Sequence, residues 1–374
     1  MLTGLRVGVL KNFVLKYYSE TRNTLTRDTT TVPFTHYSLS SFDSRFTTHD
    51  LKIATLHIEV LSECSLCPRE CRVNRFLEPS GYCRTGTGFA ISSICIHRGE
   101  EPVIGGKQGI CNIFFSGCNL RCIYCQNHEI SFAGKSSFSG PSGTTWPAGP
   151  PLPEGMTLQE VISKIIAVLD QGVLPVGFVS PSHVVPQVRI LIEELHRQGR
   201  HPVFVYNTNA YEKADTLRSL EGLIDVYLPD FKYGDARLAM QLSDAPGYPQ
   251  IALSAIKEMY RQKGSVLVTD DHGQAQSGLI IRHLVLPGHL DNSLSVLHTI
   301  AKKISTGVSV SLMSQYYPTV HVQGMEHLER CLYPEEYRQV VSEFESLGFR
   351  KGYIQEMDSA QHYQPDFSKD HPFE

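Results

Sequence analysis

From residue 157 onward the chain alternates between two hydrophobic periods. Leu158, Val161, Ile162, Ile165, Ile166 and Leu169 recur at three- and four-residue steps, drawing one apolar stripe along a helix expected over 157–171. Thr157 followed by Glu160 is a capping-box start, and Gly172 suits a C-terminal cap. Short continuous apolar runs predict strands at Val176–Val179, Val203–Tyr206, Asp225–Leu228, Ile280–Leu286 and Val308–Met313, with an earlier one at Ile110–Phe115. Helices are expected between them, at 184–198, 213–220, 249–263, 291–304 and 334–347. Strands alternating with helices predict parallel βα units, and strands apolar throughout predict a sheet buried on both faces. Six such units predict an α/β fold, a partial (β/α)6 barrel whose ligands bind at the carboxyl ends of the strands. The stretch 264–278 is expected as an extra loop at that end, able to close over a small substrate.

Around this core the pattern divides the 374 residues into an extension at 1–50, a Cys-rich N-terminal element at 51–108, the barrel at 109–356 and a C-terminal tail at 357–374. The Gly-, Ser- and Pro-rich stretch 132–156 is expected as a flexible insertion, with Trp146 either anchoring it or exposed. The extension holds 14 Ser or Thr between positions 19 and 48, and its first 19 residues carry Arg6, Lys11 and Lys16 without an acid. That composition suits a disordered extension, a misjudged start or a mitochondrial transit peptide; a cytoplasmic location is expected otherwise. Hydrophobic residues at 41% and charged residues at 19% exclude wholesale disorder. A net charge of −4 argues against a general nucleic-acid grip, and no apolar run is long enough to cross a membrane.

The chemistry is concentrated in the ten cysteines. Without a secretory signal, clustered thiols point to metal rather than to disulfides. One group is Cys64-x2-Cys67-x3-Cys71-x11-Cys83, with Gly81 letting the last turn fold back. Four thiolates suit either a structural zinc ion or an iron–sulfur cluster that passes electrons onward, and spacing alone leaves both open. The second group, Cys118-x3-Cys122-x2-Cys125, offers only three thiolates, which leaves one coordination position free. Cys95, Cys111 and Cys331 are expected as small buried hydrophobes.

The triplet, with Tyr124 just before its last cysteine and the string GCNLRCIYCQN around it, resembles the radical S-adenosylmethionine superfamily. The resemblance is to relatives of pyruvate formate-lyase activating enzymes that carry an N-terminal CxxCPRxC element. It extends from about Cys64 to about Phe349 through GEEPVIGG (Gly99 to Gly106), VSPSHVVP (Val179 to Pro186), VYNTNAYE (Val205 to Glu212), VYLPDFKY (Val226 to Tyr233), IRHLVLPG (Ile281 to Gly288) and SLMSQYYP (Ser311 to Pro318).

The resemblance implies that Cys118, Cys122 and Cys125 bind three irons of a 4Fe-4S cluster and that S-adenosyl-L-methionine chelates the fourth. Reductive cleavage would then give a 5′-deoxyadenosyl radical that abstracts hydrogen from a substrate, a protein being one candidate. It implies cofactor contacts from Tyr124, Ser180, Ser182, Asn207, Asp230 and Lys232, and an electron donor such as flavodoxin or ferredoxin. Asp230 and Lys232 match an Asp-Leu-Lys strand end, and Asn207, Thr208 and Asn209 an Asp-Thr-Asn. Ser-Pro-Ser-His at 180–183 stands where activating enzymes carry Gly-Gly-Glu-Pro, so the holder of the methionine amino group changes. By position, His183, His283, Gln315 and Tyr316 fall at strand ends, His283 being expected at the mouth of the site. The alternative is a non-catalytic iron–sulfur or zinc-binding scaffold that retains the fold.

Overall fold

The computed structural model describes residues 58–139, 144–361, 365–369 and 371–373, so the extension at 1–50 lies outside the described residues. The main sheet contains β1 (Ile91–His97), β2 (Ile110–Phe115), β3 (Val176–Val179), β4 (Phe204–Thr208), β5 (Val226–Pro229), β6 (Ala275–Leu284), β7 (Ser309–Met313) and β8 (Gly352–Ile354). They lie side by side in chain order. β1 pairs antiparallel with β2, and every later neighbour is parallel. The connecting helices are α1 (Leu158–Leu169), α2 (Val185–Arg197), α3 (Ala214–Arg218), α4 (Ala236–Ser243), α5 (Tyr248–Lys263), α6 (Leu290–Lys303) and α7 (Pro334–Ser346). No helix among the described residues is long and apolar enough to cross a membrane.

The local rules act where the pattern placed them. Thr157 and Glu160 form the reciprocal capping box of α1, and Val161, Ile162 and Ile165 on its stripe are buried. Both faces of the strands are covered. Phe178, Tyr206, Tyr227, Ile281 and Leu312 join the outer core with the helices, while Ile110, Val205, Val226, Leu228 and Ile280 meet Val103 and Ile104 on the inner side. The sheet is curled. Glu100 and Glu101, in the turn between β1 and β2, form ion pairs with Arg282 of β6 at 3.0 and 3.1 Å. Across a flat sheet β2 and β6 would stand ~19 Å apart.

Several expectations are corrected. Residues 264–278 do not lie at the carboxyl end: Val268 and Thr269 pair antiparallel with Ser277 and Ala275 at the start of β6, on the opposite edge. β6 begins five residues before the apolar run because Gln276 and Ser277 interrupt its hydrophobicity without interrupting the strand. The described parts of 132–156, residues 132–139 and 144–156, are tied down rather than loose, since Trp146 is fully buried and Gly134 and Gly149 bond to Pro150 and Lys135. Cys331 is exposed, whereas Cys95 and Cys111 are buried as expected. β1, β8 and α4 are additional elements. From the tail, Phe367 and Phe373 pack on Phe114 within a small cluster that includes Cys95 and Val179, and Phe373 also meets the His97 ring.

Candidate functional site

β2 ends at Phe115 and delivers the chain into the three-cysteine loop. Gly117 has φ +78°, and a Cβ there would come within 2.5 Å of the Cys83 carbonyl oxygen, so only glycine lets the loop lie against the earlier cysteine segment. The loop is fastened from several sides. Lys135 Nζ donates to the carbonyls of Cys118 (2.8 Å) and Leu120 (2.9 Å), and Trp146 Nε1 donates to that of Arg121 (2.6 Å). Arg121 and Ile123 donate their N–H groups to Ser243 and Leu242 at the end of α4, and Thr319 Oγ1 donates to the Ile123 carbonyl. Burial pushes the Lys135 ammonium down to about 8. Sequence reasoning assigned neither Lys135 nor α4 to the site. Nothing local marks them, because both act from outside the cysteine spacing.

Two of the three triplet sulfurs have a hydrogen-bond partner. Cys118 Sγ accepts from Leu120 N (3.4 Å) and Asn209 Nδ2 (3.5 Å), and Cys125 Sγ lies 3.5 Å from Ser131 Oγ. Burial pushes the Cys122 thiol up to about 12, against the pull of Lys232. Lys232 follows β5 and pairs with Asp230 at 2.6 Å. Burial opposes its charge, yet Asp230 and the neighbouring Cys122 and Cys125 hold the ammonium above its ordinary range.

The four earlier cysteines come together as well. Cys64, Cys67, Cys71 and Cys83 line a single cavity with Arg75, Asn119 and His183. Arg75 is buried and donates to the carbonyls of Thr85, Gly86 and His183, with Nη1 3.8 Å from Cys64 Sγ. Cys71 Sγ accepts from Tyr82 N at 3.3 Å, and Thr85 Oγ1 lies 3.2 Å from Cys83 Sγ. Burial works to raise the Cys83 thiol, but Arg75 and Thr85 outweigh it and hold the group below its usual value. Among the described residues, no three His, Cys, Asp or Glu side chains are grouped so as to hold a single metal ion.

The remaining strand-end residues divide. Tyr124 is buried, its hydroxyl 2.6 Å from that of Tyr233 and its ring packed near Tyr316. Ser180 takes the left-handed conformation at φ +53° and donates its N–H to Asn207, which is half-buried. Ser182 turns into a buried network with Thr208, which bonds Glu212. His183 Nε2 donates to the Ser116 carbonyl at 2.9 Å, and burial lowers its ring to about 3. His283 is not at the mouth: it is fully buried, donating from Nδ1 to the Phe231 carbonyl and accepting at Nε2 from Ser293. Strand alternation explains this, because Arg282 points inward and its neighbour must point out. Gln315 accepts from Gln126 Nε2 through its carbonyl and from Gln355 through its side chain.

No family model matches the chain. It is 29% identical over 287 residues to the uncharacterized protein MJ0674 of Methanocaldococcus jannaschii, covering 77% of this chain and 75% of that protein. Among solved structures, it is similar to TYW1 with a lysine-pyruvate adduct bound, with TM-score 0.41 and 14% identity over 67% of this chain and 78% of that one. It is also similar to SuiB of Streptococcus suis bound to its precursor peptide SuiA, with TM-score 0.42 and 13% identity over 68% of this chain and 50% of that one.

Proposed function

We propose that the chain is a radical S-adenosylmethionine enzyme whose cluster is held by Cys118, Cys122 and Cys125. The observation that carries this reading is their placement. Three thiols on one loop leave the carboxyl edge of a curled parallel sheet, with a cation–carboxylate pair nearby whose ammonium favours the thiolate form of two of them. The residues suit a 4Fe-4S cluster with one iron left for a ligand. There are three sulfurs rather than four, two of them have a hydrogen-bond partner to stabilise the thiolate, and a lysine offsets part of the charge. When bound, the cluster and S-adenosylmethionine supply a 5′-deoxyadenosyl radical for hydrogen abstraction. The chain's own part is to orient and seal. Asp230 and Lys232 would meet the ammonium and carboxylate of the methionine moiety, and Lys135 and Trp146 hold the cysteine loop in place. The Tyr124–Tyr233–Tyr316 packing excludes water from its far side. An electron donor of the flavodoxin or ferredoxin class would be required, and a protein substrate, as in activation of glycyl-radical enzymes, is the favoured class.

Anaerobic reconstitution with iron and sulfide, reduction with dithionite and addition of S-adenosylmethionine tests the reading. 5′-Deoxyadenosine is the expected product, and Cys122→Ala should abolish it. A well-formed cluster that yields none would leave the scaffold alternative standing.

A further inference from the structure

The two cysteine groups are joined by a pair of amides. Asn209, just past β4, donates both protons of Nδ2, one to Cys118 Sγ at 3.5 Å and one to Asn119 Oδ1 at 2.8 Å. Its own Oδ1 accepts from Tyr211 N at 2.9 Å. Asn119 in turn has two Nδ2 protons. One goes to the Tyr211 carbonyl at 2.7 Å, and the Asn119 side chain lines the four-cysteine cavity together with Cys67. The line from Cys118 to the wall of the four-cysteine cavity is therefore two side chains long, both enclosed, with 1% of Asn119 and 5% of Asn209 exposed. The backbones also touch, where Gly117 lies on Cys83.

The four-cysteine cavity has the features of a redox centre. Three of the four sulfurs have a polar partner: Arg75 for Cys64, Tyr82 N for Cys71 and Thr85 for Cys83. Such bonds, together with a buried guanidinium, stabilise added negative charge and set a cluster's potential. The four thiols surround one space, and four thiolates are the ligand number an iron–sulfur cluster takes.

We propose that Cys64, Cys67, Cys71 and Cys83 hold a second iron–sulfur cluster, and that the Asn119–Asn209 pair couples it to the triplet site. This rests on the triplet reading above. A single electron enters from an external low-potential one-electron donor and passes from the four-cysteine site to the triplet site. One centre is oxidised and the other reduced by one electron each, and no bond or proton changes hands.

The test uses the full chain reconstituted anaerobically with iron and sulfide. Wild type is compared with Cys118→Ala/Cys122→Ala/Cys125→Ala, with Cys67→Ala/Cys83→Ala and with Asn209→Ala. Removing the triplet should leave about half the iron and acid-labile sulfide, with an electron paramagnetic resonance signal on dithionite reduction. Reduced wild type should show spin–spin broadening that both cysteine variants lack. Asn209→Ala should keep its iron and move the triplet's potential to a lower value in a redox titration. Zinc without labile sulfide in the triplet-free variant would overturn the proposal, as would a wild-type spectrum that is the plain sum of the two variants. Equal iron in wild type and the triplet-free variant would instead overturn the triplet reading and the coupling with it. Should Cys67→Ala/Cys83→Ala fail to fold, metal content of the triplet-free variant still decides.

Discussion

Replacing Arg282 with Met strips the barrel interior of the cation that two buried carboxylates share. The side chains of Arg282, Glu100 and Glu101 are 11%, 7% and 4% exposed, so water cannot take over the lost charge. Breaking a buried pair from one side costs about 3–5 kcal/mol, a large share of the ~5–15 kcal/mol that holds a typical domain together. The loss should depend on pH with a definite sign. In wild type, burial tends to raise the Glu100 carboxyl, but Arg282, with help from His97 and Asn112, holds it below its ordinary value. Its contribution is therefore present above the unfolded value and lost as pH falls through the folded one. In Arg282→Met burial dominates and the folded value rises, so protonation relieves the variant as pH falls. Guanidinium unfolding followed by emission of Trp146, the single and fully buried tryptophan, reads the difference directly. We expect a deficit of about 3–5 kcal/mol at pH 7 that shrinks by at least ~1 kcal/mol at pH 5. Adding Glu100→Gln and Glu101→Gln should recover most of it. A deficit below ~1 kcal/mol at pH 7, or one that grows on acidification, would refute the account.

Two further outcomes follow from single contacts. Trp146→Phe keeps an aromatic ring but loses the bond to the Arg121 carbonyl, and should cost about 1–3 kcal/mol, read by circular dichroism during urea unfolding. Arg330 holds the Glu336 carboxyl down to about 2, so Glu336→Gln should cost about 1 kcal/mol above pH 5 and progressively less toward pH 2. A deficit in that variant that is constant across this window would contradict the ion pair.

The sheet was legible because its strands are apolar on both faces, and the parallel order follows from the alternation with helices. β1 escaped because its Ser92 and Ser93 break the apolar run, and β8 because three residues carry too little pattern. The misplacement of 264–278 was avoidable: a segment between a helix and the next strand must lie at the amino edge of a parallel sheet. His283 was likewise decidable from alternation with Arg282. The triplet could be picked out from spacing alone, since its three cysteines lie within eight residues. The partners of that loop could not. Asn119 and Asn209 stand 90 residues apart and meet only because β2, β3 and β4 are neighbours, with nothing in either local sequence to mark the other. The meeting of Glu100 and Glu101 with Arg282 was hidden for the same reason, although both motifs were visible separately.

Strands laid down in chain order give a sheet that can grow one unit at a time as synthesis proceeds, each new strand docking on the one just made. The cysteine pockets do not share that schedule. Their thiols are all made by residue 125, but Asn209 arrives with β4, and the end of α4 supplies Ser243 and the Asp244 that bonds Arg69 and Tyr82. Through that interval a nascent chain carries seven thiols without their finished walls. On the proposed reading, iron delivered early would meet an open, exchangeable set of thiols, so loading would follow only after about two-thirds of the polypeptide has emerged.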